Sequence, residues 1–151
     1  MAIIEVSKSI IINRTPEDLY GFWHNFENCR LFIDHLESVK QIGDGVTRWT
    51  LKPHLGFHLT WDSRITEDIK DRQIIWQSVP DSGIVNKGVV SFYKAPGSKG
   101  TEVALNISYE LPEGFSNIIE KTLFDIVTTQ QIDHDLQRLK TIMETGQPNN
   151  M

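Results

Sequence analysis

The sequence predicts an α+β fold in which a curved antiparallel β-sheet of about seven strands, in the order β-α-α-β6-α-α, wraps on a long C-terminal helix. Three observations carry this reading. From Leu36 to Leu111 apolar residues recur at every second position between turn-forming pairs, as in an antiparallel meander packed on one face and wet on the other. After Pro112-Glu113-Gly114 the apolar period becomes helical and ends in a long amphipathic stretch. Ahead of the meander stand one strand and two helical segments, placed to close an end of the sheet.

Residues 3–13 are rich in β-branched types, and Val6, Ile10 and Ile12 share one face of a first strand. Thr15-Pro16-Glu17-Asp18 then supplies an N-cap, a proline at the first helical position and acids where the helix dipole favours them. Leu19, Phe22, Trp23 and Phe26 follow at helical spacing, and a second short helix after Asn28 carries Leu31 and Phe32. Strands are expected at Thr47–Lys52, Phe57–Glu67, Gln73–Ser78, Ile84–Lys94 and Thr101–Leu111, with a weaker one near Val39–Ile42. Asp44-Gly45, Lys70-Asp71, Pro80-Asp81-Ser82-Gly83 and Pro96-Gly97-Ser98 supply the turns.

Beyond Gly114, Ile119, Leu123 and Ile126 lie on one side of a helix. Ile132, Leu136, Leu139 and Met143 would fall on nearly the opposite side if that helix continued. Thr128-Thr129-Gln130-Gln131 resolves the conflict as a capping box that starts a new helix and resets its buried face. The last helix therefore runs from about Thr129 to Thr145, with Gly146 as its C-cap residue and residues 146–151 as a flexible tail. No repeat or linker divides the chain, so residues 1–151 read as a single ligand-binding domain.

Composition narrows the function classes. With 39% hydrophobic and 23% charged residues, the 151-residue chain has enough apolar surface for a core of its own. A net charge of −5 argues against nucleic acid, whose phosphates require a dense basic surface. The lone Cys29, among Phe26, Leu31 and Phe32, reads as a small buried hydrophobe rather than a thiol catalyst. No apolar run has the length of an integral membrane segment, and Glu5 interrupts any signal-peptide core, so the expected location is cytoplasmic. Oligomeric state is left open.

A twisted sheet wraps, and a straight helix laid in its concavity leaves space between them. The inward parity of the strands and the helix stripe name the expected lining: Trp49, Trp61, Trp76, Val90, Phe92, Leu105, Ile107, Tyr109, Ile132, Leu136, Leu139 and Met143. Aromatic residues at Trp49, Trp61 and Trp76 suit a flat or lipid-like ligand and equally suit core filling. Three polar residues share the inward parity: Ser63 and Tyr109 as hydroxyls that orient a ligand, and Lys8 as a cation at the cavity or its mouth. Snorkelling at a strand end is the competing reading of Lys8. Asp62 falls on the wet face, paired with Arg48 or Arg64.

His54 and His58 have metal-like spacing, but Pro53 and Leu55-Gly56 put them around a turn without a third ligand, so no metal is assigned. His24 and His35 belong to the segment capping the sheet and are read as structural or surface residues. No cofactor is implied.

Several stretches resemble a known family: Val6-Ser7-Lys8-Ser9-Ile10-Ile11-Ile12-Asn13-Arg14-Thr15-Pro16-Glu17-Asp18-Leu19-Tyr20, Phe22-Trp23-His24-Asn25-Phe26-Glu27-Asn28, His35-Leu36-Glu37-Ser38-Val39, Trp61-Asp62-Ser63-Arg64-Ile65-Thr66-Glu67-Asp68 and Met143-Glu144-Thr145-Gly146. Together they are similar to the bacterial cyclase/dehydrase subgroup of the SRPBCC superfamily, which also holds START lipid-transfer domains, birch-pollen-allergen-like proteins and polyketide cyclases. The resemblance spans nearly the whole chain. It implies a helix-grip fold and a hydrophobic ligand cavity, and no particular reaction, because such folds serve carriers and enzymes alike. The glycine-rich loop of the plant allergens has no counterpart here, and no polyketide-cyclase catalytic set matches residue by residue.

The expectation is therefore binding or transport of a hydrophobic or aromatic small molecule. The alternatives are a cyclase/dehydratase-like enzyme using Lys8, Ser63 or Tyr109, and a groove for a partner protein's apolar segment.

Overall fold

The computed structural model describes residues 2–52, 59–80, 84–97, 100–111 and 127–146. Strand β1 (Ala2–Ile12) leads into helix α1 (Pro16–His24) and a 3-10 helix (Phe26–Leu31). Then come β2 (Leu36–Gly43), β3 (Val46–Leu51), β4 (Thr60–Ile69), β5 (Gln73–Ser78), β6 (Val85–Lys94) and β7 (Thr101–Leu111). Helix α2 (Thr129–Thr145) follows. The strands form one antiparallel sheet in the order β1-β7-β6-β5-β4-β3-β2, so β1 crosses over to pair with the last strand while the others meander.

Both helix starts follow from their caps. Thr15 Oγ1 accepts the backbone N–H of Asp18 at 3.0 Å, and Thr128 Oγ1 accepts that of Gln131 at 3.0 Å, each satisfying a donor the helix cannot use internally. At the far end of α2 the chain turns out through Gly146, whose φ of 78° is natural for glycine and costly for other residues.

The sheet bends strongly. Register shifts between Leu36 and Ser38, between Gln41 and Gly43 in β2, and between Ile65 and Glu67 in β4 place bulges where curvature accumulates. Trp61 on β4 and Tyr109 on β7 have two strands between them, a span of about 14 Å in a flat sheet. Their rings nevertheless meet edge to face with centroids 5.6 Å apart, because the concave face folds them together.

Helix α2 lies across that concavity. Its buried face is Ile132, Asp135, Leu136, Leu139, Ile142 and Met143. The C-terminal half is moored to the end of β1: Lys140 Nζ donates to the Ile11 carbonyl at 3.1 Å, Arg14 Nη1 to the Met143 carbonyl at 2.6 Å, and the Asn13 N–H to Glu144 Oε2 at 2.8 Å. Farther up, Arg138 ties the helix to the segment before β2 through Asp34 and the Leu31 carbonyl. On the outer face Arg48 donates twice to Asp62, at 2.8 and 3.1 Å, the pairing expected from parity.

Small differences from the sequence expectation fall at element ends: β2 begins at Leu36 rather than Val39, and β4 runs on to Ile69. The expected helix around Ile119, Leu123 and Ile126, residues Phe57 and His58 of the expected fourth strand, His54, and the tail beyond Gly146 lie outside the described residues.

Candidate ligand cavity

The cavity lies under the N-terminal half of α2. Ile132, Asp135 and Leu136 form its roof, and Leu105, Ile107 and Tyr109 of β7 with Asn86 of β6 form its floor. Trp49, Trp61 and Trp76 supply one wall, and Trp23, Cys29 and Phe32 supply the end closed by α1 and the 3-10 helix. His35, Leu36, Ile33 and Val127 complete it.

Aromatic packing orders the wall. Trp49 and Trp61 are cross-strand partners whose rings lie nearly parallel, 6° apart with centroids separated by 6.5 Å. Phe26 wedges between Trp49 and Trp76 at 5.5 and 5.4 Å, and Trp23 meets Phe32 at 5.1 Å. These rings fill most of the space a bowl and a rod leave between them. The cavity volume is about 30 Å³, room for about two water molecules.

Eight of the residues named from sequence come together here: Trp49, Trp61, Trp76, Leu105, Ile107, Tyr109, Ile132 and Leu136. Six lie elsewhere. Lys8 has the inward parity of β1 but emerges beside α2, with Nζ 3.9 Å from Asp133 Oδ1 and its side chain over one-third exposed. Ser63 is buried with its hydroxyl accepting from Trp49 Nε1 at 2.8 Å, so it holds an indole in place. Val90 and Phe92 are buried at the end of β6 that α1 covers, where Phe92 packs edge-on against Tyr20 and Trp23. Leu139 and Met143 are buried in the half of α2 that is moored to β1.

The structure adds three polar residues that the sequence reading did not place in the cavity: Asn86, whose side-chain amide donates to the Ser108 carbonyl at 3.1 Å, Asp135 and His35. Asp135 is 2% exposed, and its carboxyl is pushed up to about 7, chiefly by burial. Gln131 Nε2 donates to its Oδ1 at 2.9 Å, and the Asp34 N–H lies 3.5 Å from the same oxygen. His35, read from sequence as structural or surface, turns its ring to the cavity. Burial lowers its pKa to about 4, against the opposing pull of Asp34, so the ring is neutral at physiological pH. Four buried polar atoms of the lining residues have no hydrogen-bond partner among the described residues: Trp23 Nε1, His35 Nδ1, Trp61 Nε1 and Asp135 Oδ2. Tyr109 is also buried, which raises its phenol above the ordinary range.

Cys29 is buried, and its thiol is raised by that burial, which leaves it a packing group rather than a nucleophile. Among the described residues no cluster of three or more His, Cys, Asp or Glu side chains is arranged to hold a metal ion. No helix among them is long and apolar enough to cross a membrane.

A curved antiparallel sheet gripping a C-terminal helix around an aromatic hollow defines a helix-grip domain. The chain belongs to the polyketide cyclase/dehydrase and lipid transport family, whose sequence pattern matches residues 12–134. A crystal structure from Deinococcus radiodurans is 31% identical, with 95% of this chain and 99% of that one covered and a TM-score of 0.78. An uncharacterised 17.2 kDa protein of Streptomyces lincolnensis is 27% identical over 140 residues, covering 93% of this chain and 89% of that protein. The ZhuI aromatase/cyclase of Streptomyces sp. R1128 shares the fold at 12% identity, with 97% and 99% of the two chains covered and a TM-score of 0.70.

Proposed function

We propose that the chain binds a hydrophobic or aromatic small molecule between the sheet and helix α2. One observation carries this reading: four buried polar atoms on residues that line one largely aromatic cavity lack partners among the described residues. Buried donors and acceptors nearly always find partners, because each one left unmet costs about 1–3 kcal/mol. A bound molecule that is mostly apolar with a polar head meets both needs of such a cavity.

Small-molecule sites usually have volumes of about 300–1,000 Å³, so the 30 Å³ present requires rings of the wall to move outward as a ligand enters. Native mass spectrometry of freshly purified protein tests the reading, with an adduct of small-molecule mass as the expected result. No adduct, together with no uptake of Nile red, overturns it.

A second reading has its own support. A carboxyl near 7 and a neutral imidazole beside an apolar cavity are suited to general acid and base work, as in a cyclase or dehydratase. Turnover of a polyketide-like compound that disappears in Asp135→Asn, with the fold retained, is the result this reading requires.

A further inference from the structure

We propose that Asp135 selects the ligand by charge: its free carboxyl oxygen takes a head group bringing an O–H or N–H donor, and it rejects one ending in a carboxylate. This inference rests on the cavity being a ligand site.

The two oxygens of Asp135 are unequally placed. Oδ1 takes the Gln131 amide, whereas Oδ2 is buried and has no partner among the described residues. At pH 8, where this carboxyl is mostly ionised, it is an acceptor only, so what Oδ2 lacks there is a donor. One neighbouring charge reinforces the preference. Asp34 faces Asp135 from the segment before β2, and its negative charge helps raise the Asp135 carboxyl. Two side chains of α2, Arg138 and His134, already contact Asp34, and His134 draws the Asp135 carboxyl the other way. Among the described residues lining the cavity there is no Lys or Arg to balance a ligand anion. Like charges repel more strongly beside a buried carboxylate than in water, so a carboxylate head meets a barrier that a hydroxyl or ammonium does not.

The groups facing Asp135 are Gln131 and His134 on its own helix, Asp34 and His35 in the segment before β2, and Tyr109 on β7. Between pH 6 and pH 8 the His35 ring stays neutral and the Tyr109 phenol stays protonated. A carboxyl titrating near 7 is about one-tenth neutral at pH 8 and about nine-tenths neutral at pH 6, so carboxylate binding should recover about tenfold across that interval.

Calorimetric titration with 2-naphthol, 2-naphthylmethylamine, 2-naphthoate and naphthalene at pH 8 and pH 6 tests this. At pH 8 at least one donor-bearing probe should bind about tenfold or more tightly than naphthoate and naphthalene. Whichever of hydroxyl or ammonium binds better identifies the head group, and either order supports the inference. The naphthoate deficit should shrink about tenfold at pH 6 and vanish in Asp135→Asn. The pH comparison uses the unaltered protein, so the test stands even if that variant does not fold. Naphthoate or naphthalene binding at pH 8 as well as the tighter of the two donor probes, or a naphthoate deficit unmoved by pH, overturns charge selection while leaving the binding reading intact. Failure of all four probes, together with no adduct and no uptake of Nile red, overturns both.

Discussion

The indole of Trp76 occupies the place where a side chain at Gly88 would stand: a Cβ built on Gly88 would lie 2.0 Å from Trp76 Cζ2 and 2.1 Å from Cε2. The two residues are cross-strand partners of β5 and β6, so the ring lies over the neighbouring strand and contributes to the cavity wall. Gly88→Ala should drive the ring off its seat and lower stability by about 1–3 kcal/mol. Urea unfolding measures this, and an unchanged midpoint would show that the ring has another resting place.

Ser63 and Trp49 form a buried side-chain hydrogen bond at 2.8 Å. Removing the acceptor in Ser63→Ala strands the indole N–H and should cost about 1–3 kcal/mol. In a double-mutant cycle with Trp49→Phe, which has no N–H to strand, Ser63→Ala should cost clearly less. Equal costs in both backgrounds would mean that the bond contributes nothing.

Leu136 and Leu139 are both fully buried one turn apart on α2, but only Leu136 lines the cavity. Each alanine variant should lose about 2–5 kcal/mol. Leu136→Ala enlarges the hollow and should gain affinity for naphthalene, whereas Leu139→Ala should lose stability without that gain. Calorimetry on the pair separates cavity from core.

Asp135 makes stability depend on pH in a direction opposite to that of an ion-paired carboxylate. Its folded pKa, about 7, lies above the ordinary 3.8, so folding favours the protonated form. Its unfavourable contribution is absent at acid pH and grows as pH rises from about 4 to about 7. Asp135→Asn should match the parent protein near pH 4 and exceed it at pH 8 by on the order of 2–4 kcal/mol. Curves that stay parallel across this range would mean that the carboxyl is not held protonated.

Much of the fold was legible because its elements obey simple periods. Alternation in β3 to β7 named the inward residues, and the Thr128 cap explained why the apolar stripe restarts at Ile132. Parity tells which face a side chain takes, but not how far along that face a cavity extends. Phe92 points inward and meets α1, and Lys8 points inward on an edge strand and slips out beside Asp133. Asp135 left a signal: it stands three residues after Ile132 and one before Leu136, an acid inside the apolar stripe. His35 left none, since the short link between the 3-10 helix and β2 has no period to read.

All four tryptophans of the chain border the same hollow. Near-ultraviolet emission from this protein therefore comes from one neighbourhood, undiluted by indoles elsewhere. Filling, emptying or wetting that neighbourhood should shift or quench the whole signal, which makes the unlabelled chain its own optical gauge of occupancy.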